Sequence, residues 1–214
     1  MRNGLRWFVD NRDHIETLAL HHVWLSVVPI VVGFVLAVPI GWLANRHRRI
    51  GGLLLGIGGV VYAIPSLPLL IILPGVIGTS FLDPFNVALV LSIYAVAVMV
   101  RTAADAFGQV PRAAVEAAKA NGYSPLQRVV TVELPLAGPV LLAGLRVVSV
   151  STVSLVTIGA IIGVSNLGSL FTDGFQRDFP TEIIIGILGV VVLALVLDAI
   201  WVLLGRLLMP WVRA

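Results

Sequence analysis

The chain has 214 residues, of which 58% are hydrophobic and only 12% charged, with a formal net charge of +3 at pH 7 and no cysteine. Soluble domains hold roughly half apolar and about a quarter charged residues, so this composition excludes an ordinary water-soluble domain and places the chain in a membrane. The lack of cysteine excludes disulfide and thiol chemistry, and the modest positive charge belongs to membrane-flanking loops rather than to a nucleic-acid-binding face.

Residues 1–22 lack the basic start, apolar run and small-residue cleavage site of a signal peptide, so they are expected to stay attached. Leu5, Trp7, Phe8, Ile15 and Leu18 alternate with charges there. That pattern predicts either an interfacial helix on the outer leaflet or an ordered lead-in without membrane contact. Residues 23–214 read as one membrane domain. A spanning helix needs about 20 apolar residues, and the first such run covers 23–44. His21 and His22 precede it without a Cys, Asp or third His at ligand spacing, so interfacial polarity is expected there rather than metal binding.

The second run, 52–74, contains Pro65, Pro68 and Pro74. Each proline removes a helical hydrogen bond and frees a carbonyl, and unsatisfied backbone in a bilayer persists only against protein or a watery cavity. Residues 62–70, with Tyr62, Pro65, Ser66 and Pro68, are therefore a candidate pore lining. The alternative is a kinked packing helix whose carbonyls are met by Ser92 or Ser151. Tyr94, in the third and shorter run (84–100), and Asn166 are further candidate wall contacts.

Between the third and fourth runs lies the long polar segment 101–139. Residues 113–121 are rich in strong helix formers, Gly122 suits a helix C-cap, and Ser124-Pro125 suits the start of a second short helix. Pro135 and Pro139 are expected to break the chain before the fourth run, 140–163, which carries only Arg146. The fifth run, 183–205, carries only Asp198. An intramembrane acid is by default a functional group, such as a proton relay, but a structural ion pair with Arg101 or Arg146 is the favoured reading. All five runs are apolar all round, unlike alternating barrel strands, so the fold class is an all-α integral membrane protein with five transmembrane helices.

Cytoplasmic loops carry the excess of Lys and Arg. Arg46, Arg48, Arg49, Arg101, Arg112, Lys119, Arg128, Arg206 and Arg213 all fall on one side, while the other has Asp83 in one loop, Asp173, Arg177, Asp178 and Glu182 in another, and an N-terminal segment whose Arg2, Arg6 and Arg12 are matched by Asp10, Asp13 and Glu16. The N-terminus is therefore expected outside and the C-terminus in the cytoplasm, with segment 101–139 as the largest cytoplasmic loop.

Within that loop, Glu116-Ala117-Ala118, then Gly122, Val132 and Leu134-Pro135 resemble, spacing included, the EAA loop of permease subunits of bacterial binding-protein-dependent ABC importers. The likeness extends through "IPSLPLL" and "IGVSNLGSLF" and is similar to the branch importing glycine betaine, choline and carnitine. The chain departs from that branch at Pro68, where a small residue is common, and at residues 162–168, where a glycine-rich IGAGGLG is usual. The resemblance implies a type I ABC importer permease fold in the bacterial inner membrane. It further implies ATPase coupling through Glu116, Ala117, Ala118, Gly122, Leu134 and Pro135, with a cytoplasmic ATPase dimer, an extracytoplasmic binding protein and a second permease, identical or related, as partners. This chain has no Gly-rich phosphate loop, so ATP and Mg would be held by the ATPase and no cofactor by the permease. A methionine-like amino-acid permease, an ion-coupled carrier using Asp198 and a non-transporting scaffold are the other function classes. The five Trp are scattered, and no aromatic cage for a quaternary ammonium is visible in the sequence.

Overall fold

A computed structural model describes residues 2–213. The side chains of residues 2–5, Arg48 and Arg213 lie outside the described set, and with them the expectations placed on Arg2, Leu5, Arg48 and Arg213. No strand occurs among the described residues.

Helix α1 (Arg2–Asp10) is followed after one residue by α2 (Arg12–Arg46). Asn11 makes the turn, its backbone N–H and its Nδ2 both donating to the Trp7 carbonyl. The expected start of the first span near residue 23 lies inside α2, because "RDHIETLALHH" holds strong helix formers and no Gly or Pro to stop the helix. No separate interfacial helix covers residues 12–22.

The second run does not form one continuous helix. It splits into α3 (Arg48–Ala63) and α4 (Ser66–Ile77), bent by 100° at the break. Pro65 sits at φ −63° and ψ 135°, and the residue before a proline is pushed out of the helical region. Pro68 falls in the first turn of α4, where N–H groups have no helical partner anyway, so it frees no carbonyl. Pro74 lies inside α4, which ends at left-handed Gly78.

Helix α5 (Pro84–Gly108) runs beyond the expected end of the third span at residue 100. Next come the short helices α6 (Arg112–Ala120) and α7 (Pro125–Arg128), a π turn at Val129–Glu133, and α8 (Leu134–Val156). Helical structure is continuous from Pro125 to Ile162, so Pro135 and Pro139 do not break the chain. Pro135 stands in the first turn of α8, just after the π turn, whose wider i to i+5 bonding accommodates a proline ring. A 3-10 turn (Thr157–Ile162), α9 (Ser169–Gln176) and α10 (Pro180–Leu208) complete the chain with a final 3-10 turn at Pro210–Arg213. Four continuous helices, α2, α5, the Pro125–Ile162 stretch and α10, are long and apolar enough to cross a membrane, and the bent α3–α4 pair makes a fifth, broken span.

The chain forms two compact units. One comprises Met1–Val31, Ile64–Ile93 and Ser149–Asp198. Its core includes Leu18, Leu167 and Leu170, with Trp7, Ile15 and Ile185 packed against them. Here the Trp7 ring meets Phe179 edge-on at 5.7 Å, and Arg177 Nη2 donates to both oxygens of Glu182. The other comprises Val32–Ala63, Tyr94–Val148 and Ala199–Ala214. Its core is built from small side chains, Ala37, Ala95, Ala103, Ala106 and Ala137, around Met99, Phe107 and Leu141. Small residues let membrane helices approach closely: a Cβ added at Gly33 would lie 2.5 Å from that of Ala95.

Candidate functional site

The polar loop is built from local capping rules. Helix α6 ends at Asn121, after which Gly122 takes φ +79°. Gly122 N–H donates to Lys119 O at 3.0 Å and Tyr123 N–H to Ala118 O at 3.1 Å, the paired bonds of a Schellman end. Ser124 then opens α7 with a capping box: its Oγ accepts from Gln127 N–H, and Gln127 Oε1 accepts from Ser124 N–H. Pro125 occupies the first helical position, where its missing donor costs nothing. Two helices meet at a glycine, as the residue order predicts.

The sequence candidates separate by exposure. Glu116 and Ala117 face solvent, whereas Ala118 is buried, so the two alanines are not equivalent and Ala117 alone is presented outward. Glu116 pairs with Lys119 Nζ at 2.7 Å on the helix surface. The hydrogen bond and charge of Lys119 hold its carboxyl below the usual range. Leu134 and Pro135 lie apart from α6, half-buried at the start of α8. Sequence reasoning missed the exposed apolar side chains Tyr123, Leu126 and Val130, which extend the outward face of the loop. Their signal was only that apolar residues interrupt a polar stretch.

Arg128 and Glu133 do not face water. Arg128 Nε donates to Glu133 Oε1 at 2.8 Å, with the two side chains 7% and 12% exposed. Trp42 Nε1, from α2, donates to Glu133 Oε2 at 2.9 Å. The Trp42 ring carries the Arg46 guanidinium 5.3 Å from its centroid.

Among the candidate path residues, the Tyr62 and Tyr94 rings meet edge-on at 6.1 Å, Tyr62 exposed and Tyr94 buried. Pro65 and Pro68 are exposed and Ser66 is half-buried. Asn166 is different. It is fully buried, its Nδ2 donates to Val164 O and its Oδ1 accepts from Gly168 N–H. Its amide is engaged in shaping its own turn. Ser92 Oγ donates to Ala88 O within its own helix, so it is not the partner of a carbonyl freed by proline.

His22 is buried, with Nε2 2.9 Å from the Val153 carbonyl oxygen. Neither Asp198 nor Arg146 stands unpartnered. A cavity of about 460 Å³ opens beside His21, lined also by Trp24, Leu82, Asp83, Phe85 and Ser165. Two exposed aromatic rings and a carboxylate are thus brought together from residues 24 and 83–85, a grouping that scattered tryptophans did not reveal. Asp83 Oδ1 accepts from Phe85 N–H at 2.9 Å, which fixes the carboxylate at the start of α5.

Long apolar helices, a broken span and a capped polar loop define a multi-pass helical membrane protein. In fold the chain is similar to a chain of an inward-facing MetNI methionine ABC transporter structure (TM-score 0.73, 22% identity, covering 92% of this chain and 95% of that one). It is likewise similar to a chain of an amino acid ABC transporter (TM-score 0.76, 16% identity, 93% and 96% covered). The chain belongs to the family of binding-protein-dependent transport system inner membrane components, whose description matches residues 22–214. Among its relatives are the choline transport system permease protein OpuBB of Bacillus subtilis (31% identity, 98% of this chain and 95% of that protein) and the osmoprotectant import permease protein OsmW of Salmonella typhimurium (29%, 93% of each). The carnitine transport permease protein OpuCB of Listeria monocytogenes is 27% identical over 90% of this chain and 87% of that protein. The chain is thus a multi-pass inner-membrane permease, a transport subunit and not an enzyme, in a system that also requires a substrate-binding protein and an ATPase.

Proposed function

We propose that the chain forms the translocation pathway of an ATP-driven importer of osmoprotectants such as glycine betaine, choline or carnitine. The observation that carries the coupling half of this reading is the glycine-jointed pair α6–α7, which presents Glu116, Ala117, Tyr123 and Leu126 outward on a segment tied back by Glu133. In this reading the transmembrane domain covers residues 23–214, residues 1–22 face the outer side, and the loop 101–139 meets the cytoplasmic ATPase dimer. Glu116 sets register against a basic partner group, Ala117 permits close approach, Gly122 supplies the joint, and Leu134 and Pro135 anchor the loop to the fourth span. ATP and Mg are held by the ATPase. Five spans are few for enclosing a path, so a second permease, identical or related, completes it within the lipid bilayer. Tyr62, Pro65, Ser66, Pro68 and Tyr94 belong to the pathway.

The substrate half rests on the relatives named choline, osmoprotectant and carnitine permeases. The cavity beside Trp24 and Phe85 supports it, because ring faces and a carboxylate are what attract an organic cation. The test is binding by the partner binding protein across betaines, choline, carnitine and amino acids, followed by ATP-dependent uptake by the reconstituted complex. Tight binding of a quaternary amine is expected. Binding of methionine or another amino acid alone would overturn the substrate and leave the permease role standing.

A further inference from the structure

An α-helix turns about 100° per residue, so side chains five apart stand about 140° apart around its axis and do not meet. Partners on one helix face are normally three or four apart. Arg128 and Glu133 are five apart and form a nearly buried ion pair at 2.8 Å. What brings them together is the π turn at Val129–Glu133, in which Leu134 N–H bonds back to Val129 O. The dependence runs both ways. If the turn relaxed to α geometry, Glu133 would swing away from Arg128 and from Trp42, leaving a guanidinium and a carboxylate buried without partners.

A π turn also offsets the rotational phase of everything before it relative to everything after it. Here α7 precedes it and α8 follows, and α6 packs against both α7 and the π turn. The state of this one turn therefore decides the rotation at which the loop helices are carried by the fourth span. Both oxygens of Glu133 are used, one by Arg128 and the other by Trp42, and the Trp42 ring is itself stacked under Arg46. The turn is thus clamped to α2 as well as to its own helix.

We propose that Trp42, Glu133 and Arg128 are positioning residues for energy coupling: they hold the π turn and so fix the rotation at which the coupling helix is presented to the ATPase. The proposal rests on the reading that α6 meets the ATPase. Loss of the clamp leaves the permease folded but lets the turn alternate between π and α geometry, so that movement of the ATPase is absorbed in the loop instead of reaching the spans.

The experiment uses the whole complex in proteoliposomes, with glycine betaine as the probe, and measures three quantities: yield of assembled complex, ATP hydrolysis stimulated by the binding protein, and solute taken up per ATP hydrolysed. Trp42→Phe removes the indole N–H and part of the ring while keeping an aromatic face for Arg46, and Arg128→Lys keeps the charge but loses the flat Nε donor. Either is expected to assemble normally while solute per ATP falls about fivefold or more, the usual scale of coupling between sites. Combined with Glu133→Gln, Trp42→Phe should be no worse than the more damaging single change, because both open one clamp. An unchanged ratio in both variants, a loss that merely tracks yield, or losses that add independently would overturn the proposal. Wild-type behaviour separates the two readings. Binding-protein-stimulated hydrolysis without glycine betaine uptake counts against the substrate alone, and absence of stimulation counts against the coupling role of α6.

Discussion

Gly122 tests the loop most directly, because its backbone conformation and its surroundings make opposite demands. It holds φ +79°, and an added Cβ would find nothing within 4 Å in this chain. Within the permease alone, then, a substitution is opposed only by backbone strain. A left-handed conformation costs a non-glycine residue about 1–2 kcal/mol, and β-branched side chains lie at the upper end. At about 2 kcal/mol, Gly122→Val lowers the ratio of loops holding the Schellman turn to loops without it by about 30-fold, and in the latter the carbonyls of Ala118 and Lys119 lose their donors. Asn tolerates this region far better. The expected order for stimulated ATP hydrolysis and uptake in proteoliposomes is therefore Gly, then Asn close behind, then Val with both nearly lost, while membrane insertion and permease yield stay level. Retention of both activities by Gly122→Val would refute the coupling role of the turn. An Asn variant as damaged as the Val variant would refute the strain argument and assign the effect to side-chain bulk at the ATPase.

Other parts of the structure give sharper tests of topology and packing. With no native cysteine to interfere, Leu126→Cys should be shielded from impermeant thiol reagents in intact cells and Phe175→Cys labelled; both positions are well exposed, and labelling of Leu126→Cys from outside would overturn the orientation. Asp198, half-buried in α10, is read as structural, so Asp198→Asn is expected to lower the yield of complex and leave the pH dependence of uptake unchanged; normal yield with abolished uptake would favour the ion-coupled carrier instead. Gly33→Val should reduce the melting temperature and yield of the purified permease, because its Cβ would stand 2.5 Å from that of Ala95 and such overpacking costs about 1–3 kcal/mol; an undiminished melting temperature would contradict the close helix approach.

What could be read from the residues alone was whatever depends on near neighbours. Gly122, Ser124, Pro125 and Gln127 form their caps with partners within five residues, so the two-helix loop was legible, as were apolar runs long enough to span. The prolines show the limit of local reasoning. Pro65 breaks the chain, Pro68 falls harmlessly in a first turn, and Pro135 is absorbed next to a π turn; the outcome depends on where each helix starts, which composition does not state. The helix over residues 12–17 follows from local helix formers, but that Leu18 just beyond it packs on Leu167 and Leu170 is set by remote sequence. The same holds for Glu133, whose indole partner is 91 residues away. Helix α9 is amphipathic but, at eight residues, too short to stand out as a span or a long periodic run.

At 35 residues and about 1.5 Å per residue, α2 is about 52 Å long, well over the roughly 30 Å of a bilayer's hydrocarbon. Its opening turns carry Arg12, Asp13, His14, Glu16 and Thr17 on exposed positions, while Leu18 just beyond them is locked into a core. For imaging, this gives a small membrane protein a landmark beyond the detergent belt. An epitope or antibody-binding tag grafted onto that exposed face would sit on a helix continuous with the first span, whereas one fused ahead of Asn11 would hang from a turn. Particle alignment would then follow the rotation of the span itself.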